Sequence, residues 1–194
     1  MMHASATELW AWFERIADEL AANYDTPLTP LAAELGRRIT ALGLWWEVGP
    51  DKDGGLMLAI SPGRHRDRMP EVRAVVAAAP SIAGWTFHAG KPPKLWTRMV
   101  IEVDGHRYDA TTWRYVLSKY ADGVCDIVVE QNNVASEHVR DLAAALIIEG
   151  ILGEDARWQR FERIEAVHRL DPAVDMKGTS IEHLAAHLAA IQAS

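Results

Sequence analysis

Cysteine is nearly missing from this 194-residue chain: Cys125 stands alone, so no intrachain disulfide can form, and a reducing, cytoplasmic setting is expected. Long apolar runs are missing too. The most apolar early stretch is broken by Glu8, Glu14, Arg15, Asp18 and Glu19 before a signal-peptide core or a membrane span could form. There is no surplus of positive charge. A formal net charge of -7 and a pI near 5.6 argue against a general nucleic-acid-binding face, which needs a broad basic surface. Neither GxGxxG nor GxxxxGK[ST] occurs, so no phosphate cradle of those kinds is encoded, and the HExxH pattern of zinc hydrolases is also missing. No cofactor or resident metal is expected.

What remains is an ordinary globular composition, 49% hydrophobic and 24% charged, which argues against disorder outside the ends. At this length one sizeable core suffices and no linker stands out. The expectation is a single α+β domain over residues 1–194: an N-terminal helical pair over 1–43, a sheet core over 44–170 and a C-terminal helix over 171–194. The sheet is expected to be one mixed, mostly antiparallel sheet of about seven or eight strands with helices packed on it.

The organising stretch is Leu56 to Lys94. Leu56, Leu58 and Ile60 alternate with Met57, Ala59 and Ser61, the period of a strand, until Ser61-Pro62-Gly63 stops it. From Pro70 the spacing becomes helical, with Val72, Val75, Val76 and Ala79 three and four apart and Pro80 closing the run. Trp85, Phe87 and Ala89 then alternate up to Lys91-Pro92-Pro93-Lys94. Strand, helix, strand predicts two parallel neighbours joined by a crossover, whose ends leave the same edge of the sheet. Two loops far apart in sequence, 63–68 and 91–94, would therefore meet. Between them they carry Arg64, Arg66, Arg68, Lys91 and Lys94 against one acid, Asp67, in a chain that is acidic as a whole.

Elsewhere, Ser5 and Glu8 have the spacing of a capping box before a helix with Leu9, Trp12, Phe13, Ile16, Ala17 and Leu20 on one face. Thr29-Pro30 opens a second helix, ended by Gly43. Leu44, Trp46 and Val48 predict a strand that turns through 51–55 into Leu56. Asp104-Gly105 marks a tight hairpin between Met99–Val103 and His106–Ala110. Residues 113–120 and 125–129 alternate as a further strand pair, with a short helix the alternative for the first. Ser136 opens the most apolar helix, ended by Gly153. Residues 156–170 are expected to form a partly exposed edge strand, and Ser180 to Ile191 the last helix.

The run LAISPGRHRDRMPEVRAVVAAAPSIAGWTFHAGKPPK, with the strands MVIEV and CDIVVEQ and the helix end LIIEGILGEDA, resembles a family of uncharacterised bacterial proteins. The shared pattern is a strand ending in serine, a helix closing on Ala-Pro, a strand opening Gly-Trp and a late helix ending Leu-Gly-Glu. It falls here on Ser61, Ala79-Pro80, Gly84-Trp85 and Leu152-Gly153-Glu154, and spans about residues 44 to 170. The resemblance implies a fold, with a final strand after Glu154; the family has no established activity to carry over.

Function is therefore argued from side chains. The basic loops could hold an anionic ligand or an acidic protein surface, since guanidinium groups offer forked donors to carboxylate and phosphate. The same charges also suit a solvated loop. Candidate binding residues are Arg64, His65, Arg66, Arg68, His88, Lys91, Lys94 and Trp96, the last because an aromatic beside cations suits an acidic partner with an apolar centre. No catalytic residue is nominated. His183 and His187, one helical turn apart, match metal-ligand spacing but fall on a polar face. Cys125 has the apolar neighbours of a buried, inert thiol. His88, His106 and Asp109 could relay a proton, yet no nucleophile completes them. The leading expectation is a non-catalytic binding module for an acidic protein or small anion, of which an immunity or inhibitor protein is one version. Its rivals are an enzyme using His65 or His88 as general acid or base on an anionic substrate, and a structural homo-oligomeric subunit. Nucleic acid and membrane are not expected partners.

Overall fold

In α1, Met2–Ala22, the positions that turn inward are Ala6, Leu9, Trp10, Phe13, Ala17 and Leu20, all buried. The residues described in this computed structural model are 2–26, 29–63, 65–175 and 178–193. Trp10 takes the place expected for Trp12. At about 100° per residue, Trp10 lies about 60° from Phe13 around the helix and Trp12 about 100°, so only Trp10 stays within the buried stripe. Trp12 is half-buried and carries the Arg38 guanidinium 4.7 Å from its ring centroid, a cation–π contact. The helix also begins at Met2, upstream of the Ser5 cap that the sequence suggests. In α2, Pro30–Ala41, the cap is as expected: the Thr29 hydroxyl accepts from Ala32 N at 3.1 Å.

The chain divides into two compact units, residues 1–92 and 93–194. In the first, β1 (Trp45–Pro50) runs antiparallel to β2 (Leu56–Ser61), and β2 runs parallel to β3 (Trp85–Ala89). The crossover between β2 and β3 is a 3₁₀ turn, Arg66–Arg68, leading into α3, Met69–Ala77. Register puts Val48, Leu58 and Phe87 in one row and Glu47, Ala59 and His88 in the next, on opposite faces of the sheet. The helices pack on the apolar face. The rings of Trp10 and Phe13 meet Phe87 and Trp85 edge-on, and Trp10 Nε1 donates to Val75 O of α3 at 2.8 Å.

The second unit opens with the hairpin β4 (Val100–Val103) and β5 (His106–Asp109). Asp104 and Gly105 both have positive φ, 51° and 74°, as a two-residue turn of this hand requires. A four-stranded sheet follows in the order β8-β7-β6-β9, from β6 (Arg114–Lys119), β7 (Cys125–Glu130), β8 (Phe161–Val167) and the two-residue β9 (Thr179–Ser180). Helix α4, Glu137–Leu152, and the short α5, Glu154–Arg160, carry the chain from β7 to its parallel neighbour β8. After α6, Pro172–Asp175, and a 3₁₀ turn, α7 (Leu184–Ala193) ends the chain. Trp113, Tyr115, Ile127, Val129, Ile147, Ile148, Ile181 and Leu184 form the core of this unit.

The protein is thus α+β, with four of its six strand pairings antiparallel among the described residues. The single sheet of seven or eight strands is corrected: the strands form three separate sheets of three, two and four. The reason lies at two irregular joints. Segment 90–99 contains Pro92 and Pro93, which offer no N–H to a ladder. After β5 the chain turns tightly, Trp113 N donating to Ala110 O at 2.9 Å, so β5 and β6 do not become neighbours. No helix among the described residues is long and apolar enough to cross a membrane.

Candidate functional site

The parallel register fixes where β2 and β3 end. Ile60 lies beside Ala89, and Gly90 N donates to Ile60 O at 2.8 Å, so the segment after Ser61 and the segment after Gly90 leave the sheet side by side. Ser61 starts the turn by accepting Gly63 N on its hydroxyl at 2.9 Å. Gly63 has φ 66°, and a Cβ there would come within 2.6 Å of the Trp45 ring, so any other residue would be strained and would have to displace that ring. Trp45 opens β1 opposite Ser61 and is 67% exposed, which places a large aromatic surface in water at this edge.

Beyond Gly63 the backbone is held closely. His65 N donates to Pro62 O at 3.3 Å, and Arg68 N to His65 O at 3.0 Å. The Arg68 guanidinium binds Glu71 Oε2 at 2.6 Å, Leu42 O at 2.9 Å and Gly43 O. Those carbonyls end α2, where the helix dipole favours a cation. Arg68 therefore ties the turn to α2, while His65 and Arg66 remain exposed and Lys91 is half-buried.

The other nominated residues lie elsewhere. Arg64 falls outside the described residues. Lys94 and Trp96 belong to the second unit, where both bond to α4: Lys94 N donates to Gly150 O at 2.7 Å and Trp96 Nε1 to the same oxygen at 3.0 Å. The Trp96 ring lies against Gly150 and is half-buried. His88 points along its strand away from the basic turn, Nε2 reaching Asp51 Oδ1 at 3.3 Å.

Asp51 was not legible as a site residue, sitting in the turn Asp51-Lys52-Asp53-Gly54-Gly55, which reads as solvated. Strand parity is the signal that could have found it: counted on from Glu47 and Gly49, Asp51 falls on the face of Thr86 and His88. Its side chain is 4% exposed. Burial pushes its pKa up, but bonds from the Thr86 hydroxyl at 3.0 Å, His88 and the Lys52 amide outweigh burial and hold it below the ordinary aspartate value of 3.8. A carboxylate with a depressed folded pKa stabilises the fold above its unfolded pKa, and that stabilisation is lost as pH falls through the folded value. Asp51→Asn should therefore flatten the loss of stability below about pH 4, seen by comparing acid unfolding of the two proteins; superimposable acid transitions would show that Asp51 carries none of it.

The remaining titratable groups are in the second unit. Tyr115 hydroxyl and His187 Nδ1 share a hydrogen bond of 2.8 Å, and burial pushes Tyr115 up to about 12. His183 is exposed. Burial likewise raises the Cys125 thiol. His106 turns back to Asp104 O, and Asp109 holds Thr111 and Arg98. Among the described residues no group of three or more His, Cys, Asp or Glu side chains could hold a metal ion.

The class that the fold defines is an α+β protein in which two parallel strands, β2 and β3, end side by side with the Trp45 ring exposed at that edge. No family model, no curated protein and no solved structure matches the chain.

Proposed function

We propose that the first unit binds an acidic protein surface at the edge where β2 and β3 end, without catalysing a reaction. The observation that supports this reading is the parallel register: the segment that begins Gly90-Lys91 and the segment that leads to His65 and Arg66 leave the sheet side by side, at the edge where Trp45 is exposed opposite Ser61. Arg64 adds to the charge of that turn in the sequence. The Arg68 clamp supports it further, because a turn already held by its own chain loses little entropy on binding. The protein's net charge of -7 makes the test sharp: a polyanion is repelled overall and binds only through a local cationic surface.

The probe is a fluorescent glutamate-rich peptide with a central leucine, followed by anisotropy. Binding should weaken with salt, weaken about tenfold or more when Arg66→Glu and Lys91→Glu are combined, and weaken in Trp45→Ala. Absence of binding, or binding unaffected by the charge reversals, would overturn the proposal.

A second reading has one specific observation in its favour. His88 is 24% exposed and braced by the buried carboxylate of Asp51, the arrangement that orients an imidazole for proton transfer. It makes the same unit a small enzyme with His88 as acid or base. Peptide binding that survives His88→Ala unchanged favours the first reading.

A further inference from the structure

The four-stranded sheet ends on β8, which has no strand on its outer side among the described residues. An edge of this length offers unpaired N–H and C=O groups to any chain of matching pattern. The direction of those groups follows from one bond. Val167 O accepts from Gln131 N at 2.8 Å on the β7 side, so Arg163, Glu165 and Val167 turn their backbone groups inward, and Ile164 and Ala166 turn theirs outward. A bulge between Cys125 and Asp126 absorbs Glu162 and sets the faces: Ile164 and Ala166 pack on the core side, while Arg163 and Glu165 stand on the opposite face, 69% and 41% exposed.

The sequence of this edge is self-complementary. Lay a second copy antiparallel with Ile164 opposite Ile164. The outward N–H and C=O groups of Ile164 then meet as a hydrogen-bonded pair, and Arg163 falls opposite Glu165 of the other copy, twice, by symmetry. Those are non-hydrogen-bonded positions, where Cα atoms come to about 4.5 Å and side chains are closest. Moving the centre one residue, to Glu165, would set two like carboxylates face to face. Charge thus disfavours the registers centred on either neighbour, Arg163 or Glu165, and favours the one centred on Ile164. Within a single copy Arg163 Nη2 already holds Glu165 Oε2 at 2.9 Å, so the two charges stand in place for the exchange.

We infer that β8 is a self-association edge: two copies of this chain pair antiparallel about Ile164, joining their four-stranded sheets through reciprocal Arg163–Glu165 contacts. This is the isologous form expected of a two-fold dimer. It concerns a different unit and a different surface from the peptide-binding edge, so either can fail alone.

The test is sedimentation over a concentration series, with charge reversal and mixing. Wild-type mass should rise toward the dimer. Arg163→Glu and Glu165→Arg, each placing like charges opposite one another, should each weaken association about ten- to a hundredfold. An equimolar mixture of the two variants should recover it, because the glutamate introduced in one copy then meets the arginine introduced in the other, and the two unchanged side chains still pair. Independently of any variant, the Ile164 and Ala166 amides of the wild type should exchange with solvent more slowly at high protein concentration than at low. A wild type that stays monomeric, single variants that associate like wild type, a mixture that stays monomeric, or exchange independent of concentration would each overturn the inference.

Discussion

Phe13→Ala should lower the free energy of unfolding by about 3–5 kcal/mol, the range for removing a fully buried aromatic ring. Phe13 is 0% exposed and its ring lies 5.9 Å from Trp10, 5.0 Å from Trp85 and 5.6 Å from Phe87, each close to edge-on. Alanine leaves a cavity and removes the ring on which three others rest. Those neighbours are rigid aromatics that cannot collapse into the space, so the loss should fall toward the upper end of the range. Phe13→Leu, which refills most of the volume, should lose clearly less. Chemical denaturation followed by near-ultraviolet circular dichroism measures both, since the signal arises from packed tryptophans. A loss under about 1 kcal/mol for Phe13→Ala would mean that the cluster does not hold α1 on the sheet.

The same cluster explains why the strand-helix-strand unit could be read from the sequence. Leu58, Ile60 and Phe87 alternate because one sheet face is covered by helices, and Val72 and Val75 recur at helical spacing because α3 turns one face to the sheet. Asp104-Gly105 and Gly153 could be read for a different reason, their backbone angles being ones that few residues adopt. Periodicity fails where two answers share a parity or where a partner is distant. Trp10 and Trp12 are both apolar and both near the stripe, and only the wheel angle separates them. In 154–160 the strand pattern concealed α5, though Glu154 and Asp155 at its start and Arg157 and Arg160 at its end are the charges a short helix favours. The division of the strands into three sheets was hidden because alternation reports the face of a strand and not its neighbour.

The candidate edge was legible to the extent that topology alone determines it. Parallel pairing makes the chain leave β2 and β3 on the same edge, Gly90 beside Ile60. What could not be read is how each cation is used. Arg66 and Arg68 differ by two positions in one basic run, yet Arg68 is turned onto α2 carbonyls and Arg66 onto water. Trp45 cannot be placed at this edge from the sequence alone, because its neighbourhood depends on the β1–β2 register opposite Ser61.

Trp96 sets the sharpest test of a residue that sequence alone nominates for binding, through its seat on Gly150. A glycine within a helix ordinarily loses about 1 kcal/mol to alanine, so Gly150→Ala should stabilise if helix propensity decides. It should instead destabilise by about 1–2 kcal/mol, because the added methyl lies where the Trp96 ring is held, with Trp96 Nε1 bonded to Gly150 O at 3.0 Å. Trp96→Ala alone should lose about 2–3 kcal/mol, less than a fully buried tryptophan because the ring is half-buried. In the Trp96→Ala background the sign of Gly150→Ala should reverse: the methyl enters vacated space and the helix gains, so the double variant should be more stable than Trp96→Ala. That reversal is the coupling expected of two groups that compete for the same space. If Gly150→Ala has the same effect in both backgrounds, Trp96 does not rest on α4, and its ring is released to serve as the partner anchor that its place beside Lys94 first suggests.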